Sequence, residues 1–312
     1  MKRVAFVLVA VVACSSDATA PDAGVEAGTD ASADVAQTSD VAAADVAPDA
    51  AGPACTAKPD VTSTGVPANV ALTQITQDVT VTQDGTVIDA QDIHGFLTIQ
   101  ASHVTVKRSI VRGRATTATT AIIRIDSGTD ILIEDTEVAA DTPSVDLDGV
   151  WGSGFTARRM NIHGGVDGMK LGDDSLVECS YVHDLVEFAS DPNQGGGATH
   201  NDCIQILSGT NITIRMNQLV AAKSDNSAIQ VTQDFGLVSN LLVDANWADG
   251  GGCTYNFSHK GGNSLVVTTS SNRFGRNSYF DCPILRSLST TLNSSGDVWD
   301  DDGTPVPVQA HN

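Results

Sequence analysis

Three aspartates and a histidine carry the first suggestion of chemistry. Asp148, Asp167 and Asp202 each stand two residues before an apolar–polar–apolar triplet, and each is followed by a small residue, Gly149, Gly168 or Cys203. Ser227 and Ala228 hold the same places in the next occurrence. If the triplets stack in space, the carboxylates stack with them. Like charges on neighbouring rungs repel and raise one pKa, or they share a cation such as calcium. Asp148, Asp167 and Asp202 are therefore candidate calcium ligands, and calcium is the one cofactor the sequence suggests. A corner aspartate can equally cap backbone amides with its own carboxylate. His200 lies two residues before Asp202, at the end of the glycine-rich stretch EFASDPNQGGGATHN (187–201). A histidine beside a carboxylate is a candidate general base, because the pair orients the imidazole. A merely solvated corner histidine is the plainer reading.

The triplets supply the second set. In MKL, IQI, IQV and YNF the flanking residues (Met169 and Leu171, Ile204 and Ile206, Ile229 and Val231, Tyr255 and Phe257) point inward, by the period of two of a strand. The middle residues then form an outward ladder of Arg124, Trp151, Lys170, Gln205, Gln230 and Asn256. Two cations, an aromatic platform and planar amides suit contact with a ligand. Stacked amides that only hydrogen-bond along the ladder are the alternative.

The elements that position these residues follow from an internal repeat. LTIQASHVTVKRSIVRG (97–113), IRIDSGTDILIEDTEVAA (123–140), VWGSGFTARRMNIHGG (150–165), MKLGDDSLVECSYVHDL (169–185), IQILSGTNITIRMNQLVA (204–221), IQVTQDFGLVSNLLVDANWADG (229–250) and YNFSHKGGNSLVVTTSSNRFG (255–275) share one pattern. Each reads as a short strand, a polar turn, an alternating second strand and a short third strand. A spacing of about 19 to 35 residues is that of a solenoid. A sandwich gives short alternating strands as well, but it does not return one signature to one place in every unit. The fold class is all-β, a right-handed parallel β-helix. The 187–201 stretch adds nothing to such a core and is expected to overhang the strand face. His163, His183, and His259 with Lys260, fall at other corners and read as structural or remote from the ladder.

On the coil pattern and on phrases such as GTVIDAQDI (85–93), SHVTVKRSIVRG and HNDCIQI, the chain resembles right-handed parallel β-helix proteins of the pectate-lyase-like superfamily, from about Val79 to Asp300. That fold hosts lyases, hydrolases, epimerases, tail-spike proteins and adhesins, so the resemblance speaks to architecture more than to activity. It implies a polysaccharide or glycan as partner. β-Elimination on a uronate polymer needs the substrate carboxylate neutralised, a base for the adjacent C–H and an acid for the leaving oxygen. Arg124, Lys170 and Gln205 would serve the first need, and His200 or Lys170 the second. Water or an aspartic acid, Asp167 or Asp202, would serve the third, and an epimerase would use the same set. Hydrolysis fits less well, because the Asn-Thr-Asp, Gly-His-Gly and Arg-Ile-Lys signatures of β-helix polygalacturonases are missing; pectate-lyase arginine motifs are not evident either. A non-catalytic surface module that binds glycan or matrix is the competing reading.

The N-terminus sets the expected compartment. Lys2 and Arg3 precede an apolar run that ends in VVAC (11–14), which resembles a bacterial lipobox, so residues 1–14 read as a lipoprotein signal with Cys14 as the lipidated residue. Ser15 after it points to the outer membrane or cell surface. Residues 15–57 are Ala, Asp, Ser, Thr, Pro and Gly with almost no large apolar residue, and read as a disordered acidic linker reaching about 35 Å. Residues 58–312 form one β-helix domain, read as a monomer that touches the membrane only through the anchor. A formal net charge of −21 and no basic stripe argue against nucleic acid. With Cys14 set aside five cysteines remain, so at least one thiol stays unpaired. Cys253 and Cys282 each precede the first strand of a unit and are expected to bridge one rung apart. Cys179 and Cys203 fall in different columns and are expected to be buried thiols; the state of Cys55 is left open.

Overall fold

In the computed structural model the described residues are Cys55, residues 57–258 and residues 264–311. The signal, Cys14, nearly all of the linker, His259 and Lys260 lie outside them. Every strand-to-strand pairing within the three sheets is parallel, and each sheet takes one strand per coil: two have ten strands and one has nine. This is the parallel β-helix, right-handed as a parallel crossover connection demands. It runs from the Thr73–Ile75 strand to the Val308–His311 strand, somewhat beyond both ends of the stretch that carries the resemblance.

The sheet that bears the triplets, here the site sheet, contains in order Thr120–Ser127, Leu147–Gly152, Met169–Leu171, Asp202–Ile206, Ser227–Val231, Tyr255–Phe257, Ile284–Ser287 and Val308–His311, after two earlier strands. The expected core ladder is present. Met169 pairs with Ile204, Ile204 with Ile229 and Ile229 with Tyr255, and all four are fully buried. Between them the polar middle residues are forced to the other face. The corner glycines are needed because the coils approach closely: a Cβ on Gly149 would lie 2.3 Å from the Gly168 carbonyl oxygen, and one on Gly168 2.5 Å from that of Cys203.

The chain turns from the second, nine-stranded sheet (Phe155–Arg158 in one coil) to the third, ten-stranded sheet (Asn161–His163) through one left-handed residue per coil, including Asp135, Arg159, Cys179, Met216, Ala245 and Ser271, each with φ between 49° and 56°. That conformation is costly for a residue with a Cβ. The residue that follows holds the corner together. The backbone N–H of Ser180, Asn217, Asn246 and Asn272 donates to the side-chain oxygen of Asn217, Asn246, Asn272 and Asp297 on the next coil, at 2.9–3.0 Å. All the side chains of this internal ladder are buried. Buried amides satisfied in this way fix the register of the coils rather than adding a large net energy.

Cys253 and Cys282 form the expected disulfide, Cα atoms 4.7 Å apart, and Cys203 is a buried free thiol. Cys179 corrects the sequence reading, because it is bridged to Cys55 with Cα atoms 5.6 Å apart. The segment before the first strand runs along the corners of the third sheet, where Gly65 N–H donates to the Arg159 carbonyl at 2.8 Å. That path brings Cys55 to the Cys179 corner.

Candidate functional site

A cleft of about 810 Å³ lies over the site sheet and its corner. Its floor is the middle ladder: Lys170, Gln205, Gln230 and Asn256 stand on four successive strands in direct register. The corner side is lined by Asp148, Asp167 and Asn226, and the wall by Asp191, Asn193, Gln194 and His200 from the 187–201 stretch. That stretch overhangs the strand face as expected. It is closed on itself by Thr199 N–H to the Phe188 carbonyl at 2.9 Å and by a Pro192–Gln194 turn that Asp191 caps.

The three aspartates stack on successive coils, and each carboxylate serves the next coil. Asp148 Oδ1 accepts from Asp167 N–H at 3.0 Å, and Asp167 Oδ1 accepts from Asp202 N–H at 2.8 Å. Asp202 Oδ1 accepts from the Asn226 amide at 3.1 Å. The second oxygens are held differently. Lys170 Nζ sits 2.5 Å from Asp148 Oδ2 and 3.0 Å from Asp167 Oδ2, with its charge 4.9 Å from the Trp151 ring centre. The place expected for calcium is thus taken by an ammonium. Among the described residues no group of three carboxylate, imidazole or thiol side chains is set to hold a metal ion.

Burial sets the protonation. Burial, then the charge of Asp148, push Asp167 up to about 7, against the pull of Lys170. Asp202 is driven well above the carboxylate range by burial first and by Asp167 second. Burial alone would lower Lys170, but Asp167 and Asp148 outweigh it and hold the ammonium above its ordinary range. A lysine so held is a poor base, which corrects that assignment and leaves His200. His200 is exposed and faces the cleft. Asp202 is fully buried behind Gln205 and Asn226 and does not line the cleft, so His200 and Asp202 are neighbours in sequence without sharing its surface.

The outward strip is less uniform than its register. Arg124, Trp151 and Lys170 are paired rung by rung as expected. Yet Arg124 is bound to Asp126 at 2.5 Å, and the Trp151 indole N–H donates to Asp148 Oδ2 at 2.8 Å. Neither lines the cleft. Gln230 faces the cleft but is buried, because its carbonyl accepts from Asn226 and Ser227, both at 3.2 Å. Sequence reasoning missed Asn226, the loop residues Asp191, Asn193 and Gln194, and a Ser258–His311 contact of 2.6 Å at the far end of the cleft. Asn226 was legible in principle, since it holds the position before Ser227 that Asn201 holds before Asp202. His163 and His183 stack with ring centres 5.2 Å apart on the third sheet, away from this ladder.

Compared with known proteins, the chain matches no family model, no curated protein and no solved structure.

Proposed function

We propose that this domain is a carbohydrate-active protein that holds a polysaccharide in the strand-face cleft and performs acid–base chemistry on it, of the lyase or epimerase type, on a uronate-containing chain. The observation that carries the reading is Asp167, a cleft-lining carboxyl poised at about 7 and in contact with Lys170. The cleft is acid-rich, so an anionic sugar needs a cation there. When Asp167 takes a proton, Lys170 keeps only Asp148 and can turn one N–H to a substrate carboxylate. His200, on the loop that rises from the same corner and lines the cleft, would take the C–H proton, and neutral Asp167 would return one to the leaving oxygen. The planar amides of Gln205, Gln230 and Asn256 suit sugar hydroxyls further along.

The resemblance to pectate-lyase-like β-helix proteins supports this class of substrate, and export on a lipid anchor at Cys14 would place the domain where such polymers occur. The second reading is a non-catalytic glycan-binding module. It is favoured by the same ion cluster, because a lysine already paired with two carboxylates suits uncharged sugars and no turnover. Incubating the protein with polygalacturonate, alginate and neutral xylan, and following unsaturated or epimerised products, separates the two. Turnover of a uronate polymer supports the enzyme, whereas binding without product supports the module.

A further inference from the structure

The expected ladder of six outward residues and the observed cleft do not end at the same place. On the floor the cleft stops at Lys170, and the preceding rungs, Trp151 and Arg124, are left outside it. At this end the loop turns back over the corner. Asn193 donates its side-chain N–H to Asp146 Oδ1 at 3.1 Å, and the same oxygen accepts from Thr119 at 3.0 Å. Asp146 belongs to the coil of Asp148, so the loop spans from the Asp202 coil back across the Asp167 coil. Thr119, Val145, Asn193 and Gln194 line the cleft there. In the other direction the lining continues through Asn256 and Ser258 to His311 on the last strand of the site sheet.

We infer that the cleft is blind at its Lys170 end and that the protein recognises the end of a glycan chain. The terminal sugar sits against the Asp146–Asn193 wall, over Lys170 and Asp167 and beside His200. The rest of the chain runs back across Gln205, Gln230 and Asn256, perpendicular to the strands. From Lys170 to Asn256 is three rungs, about 14 Å at the usual strand spacing, enough for a short oligosaccharide. A chain that had to pass through in both directions would meet the loop and the Lys170–Trp151 stack. The inference rests on the glycan reading above and adds to it where on the polymer the protein works.

The test counts ends. The His200→Ala protein, used to keep the polymer intact, is titrated with polygalacturonate, alginate and xylan, each before and after partial fragmentation at equal mass. Recognition of chain ends makes the number of sites per unit mass rise in proportion to the number of chains. An unchanged number of sites overturns the inference while leaving the glycan reading in place. Failure to bind any of the three polymers, intact or fragmented, overturns the glycan reading itself, and the inference with it. Replacing Asp191–Gly197 by two glycines, with the strand signal in circular dichroism retained, should remove the dependence on fragmentation by opening the wall. A loop-replaced protein that still counts ends would place the stop elsewhere and overturn the assignment of the wall.

Discussion

Lys170 Nζ lies 2.5 Å from Asp148 Oδ2, on the strand next to it in the site sheet. That contact makes the lysine part of the scaffold as well as of the cleft. Removing it leaves two buried carboxylates without a cation, a loss on the order of 3 kcal/mol for a buried pair. Lys170→Met is therefore expected to lower stability in urea at pH 8. The cost should shrink at pH 5, where Asp167, with its pKa about 7, carries a proton. An equal cost at both pH values would mean that Asp167 is not the group that compensates.

Asp225 gives a cleaner pH test away from the lysine. Burial pushes its carboxyl up to about 6, with Glu187 adding to the effect. The folded protein then holds this proton more tightly than the unfolded chain, so the contribution of Asp225 to stability falls as pH rises from about 4 to about 6 and levels off above. Asp225→Asn should flatten that decline in denaturation midpoints. His183, held below its ordinary range by burial, works in the opposite direction, but it is common to both proteins and cancels in the comparison. The same slope in both proteins would rule out a raised Asp225.

The two disulfides should differ in weight. Cys55–Cys179 spans a sequence separation of 124 and Cys253–Cys282 one of 29. Closing the longer loop removes more unfolded-chain entropy, about 5 kcal/mol against about 3.5 on the chain-entropy estimate. Paired Cys→Ala substitutions compared by urea unfolding should rank in that order. The reverse ranking would mean that the stretch between Cys55 and Cys179 already has little freedom to lose in the unfolded chain.

Trp151→Phe is expected to leave glycan affinity within a few-fold, because the indole is turned to Asp148 and Lys170 and does not line the cleft. Gln205→Ala should weaken binding, with a smaller loss of stability, because Asp202 keeps the Asn226 amide when the long 3.3 Å contact to Gln205 is lost. Gln230→Ala should cost stability as well, about 1–2 kcal/mol, since it strands the buried Ser227 hydroxyl, while the Asn226 amide keeps Asp202. Titration calorimetry and urea unfolding on the three variants check the pattern. Loss of binding in Trp151→Phe alone would move the ligand onto the outer ladder.

The coil register was legible because it rests on a single period: Met169, Ile204, Ile229 and Tyr255 must point inward, and Lys170, Gln205 and Gln230 then have only one other face. What each outward side chain does was not legible. Lys170 turns to Asp148 and Asp167 because they stand beside it at the corner, and such rotamer choices leave no trace in spacing. Arg124 and Trp151 share the ladder but lose the cleft to a loop that folds back across two coils, anchored by Asn193 on Asp146. The Asn217–Asn246–Asn272 ladder did leave a signal, an asparagine at one place in three successive units. An asparagine at a corner reads equally as an exposed turn residue, so the spacing does not say that its side chain is buried. Cys55–Cys179 could not be foreseen, since it joins the end of a low-complexity stretch to a corner far along the chain.

The most direct measurement is turnover of a uronate polymer by the wild-type protein, His200→Ala and Asp167→Asn under identical conditions, with urea unfolding as the control for folding. His200 is exposed, so its loss should leave stability unchanged while lowering kcat by about 10²-fold or more, the usual contribution of a general base. The wild type is expected to gain activity as pH falls toward 7 and Asp167 takes its proton, and Asp167→Asn should lack that rise. Full activity in His200→Ala, or a pH profile identical in Asp167→Asn and wild type, would contradict acid–base chemistry at this cleft.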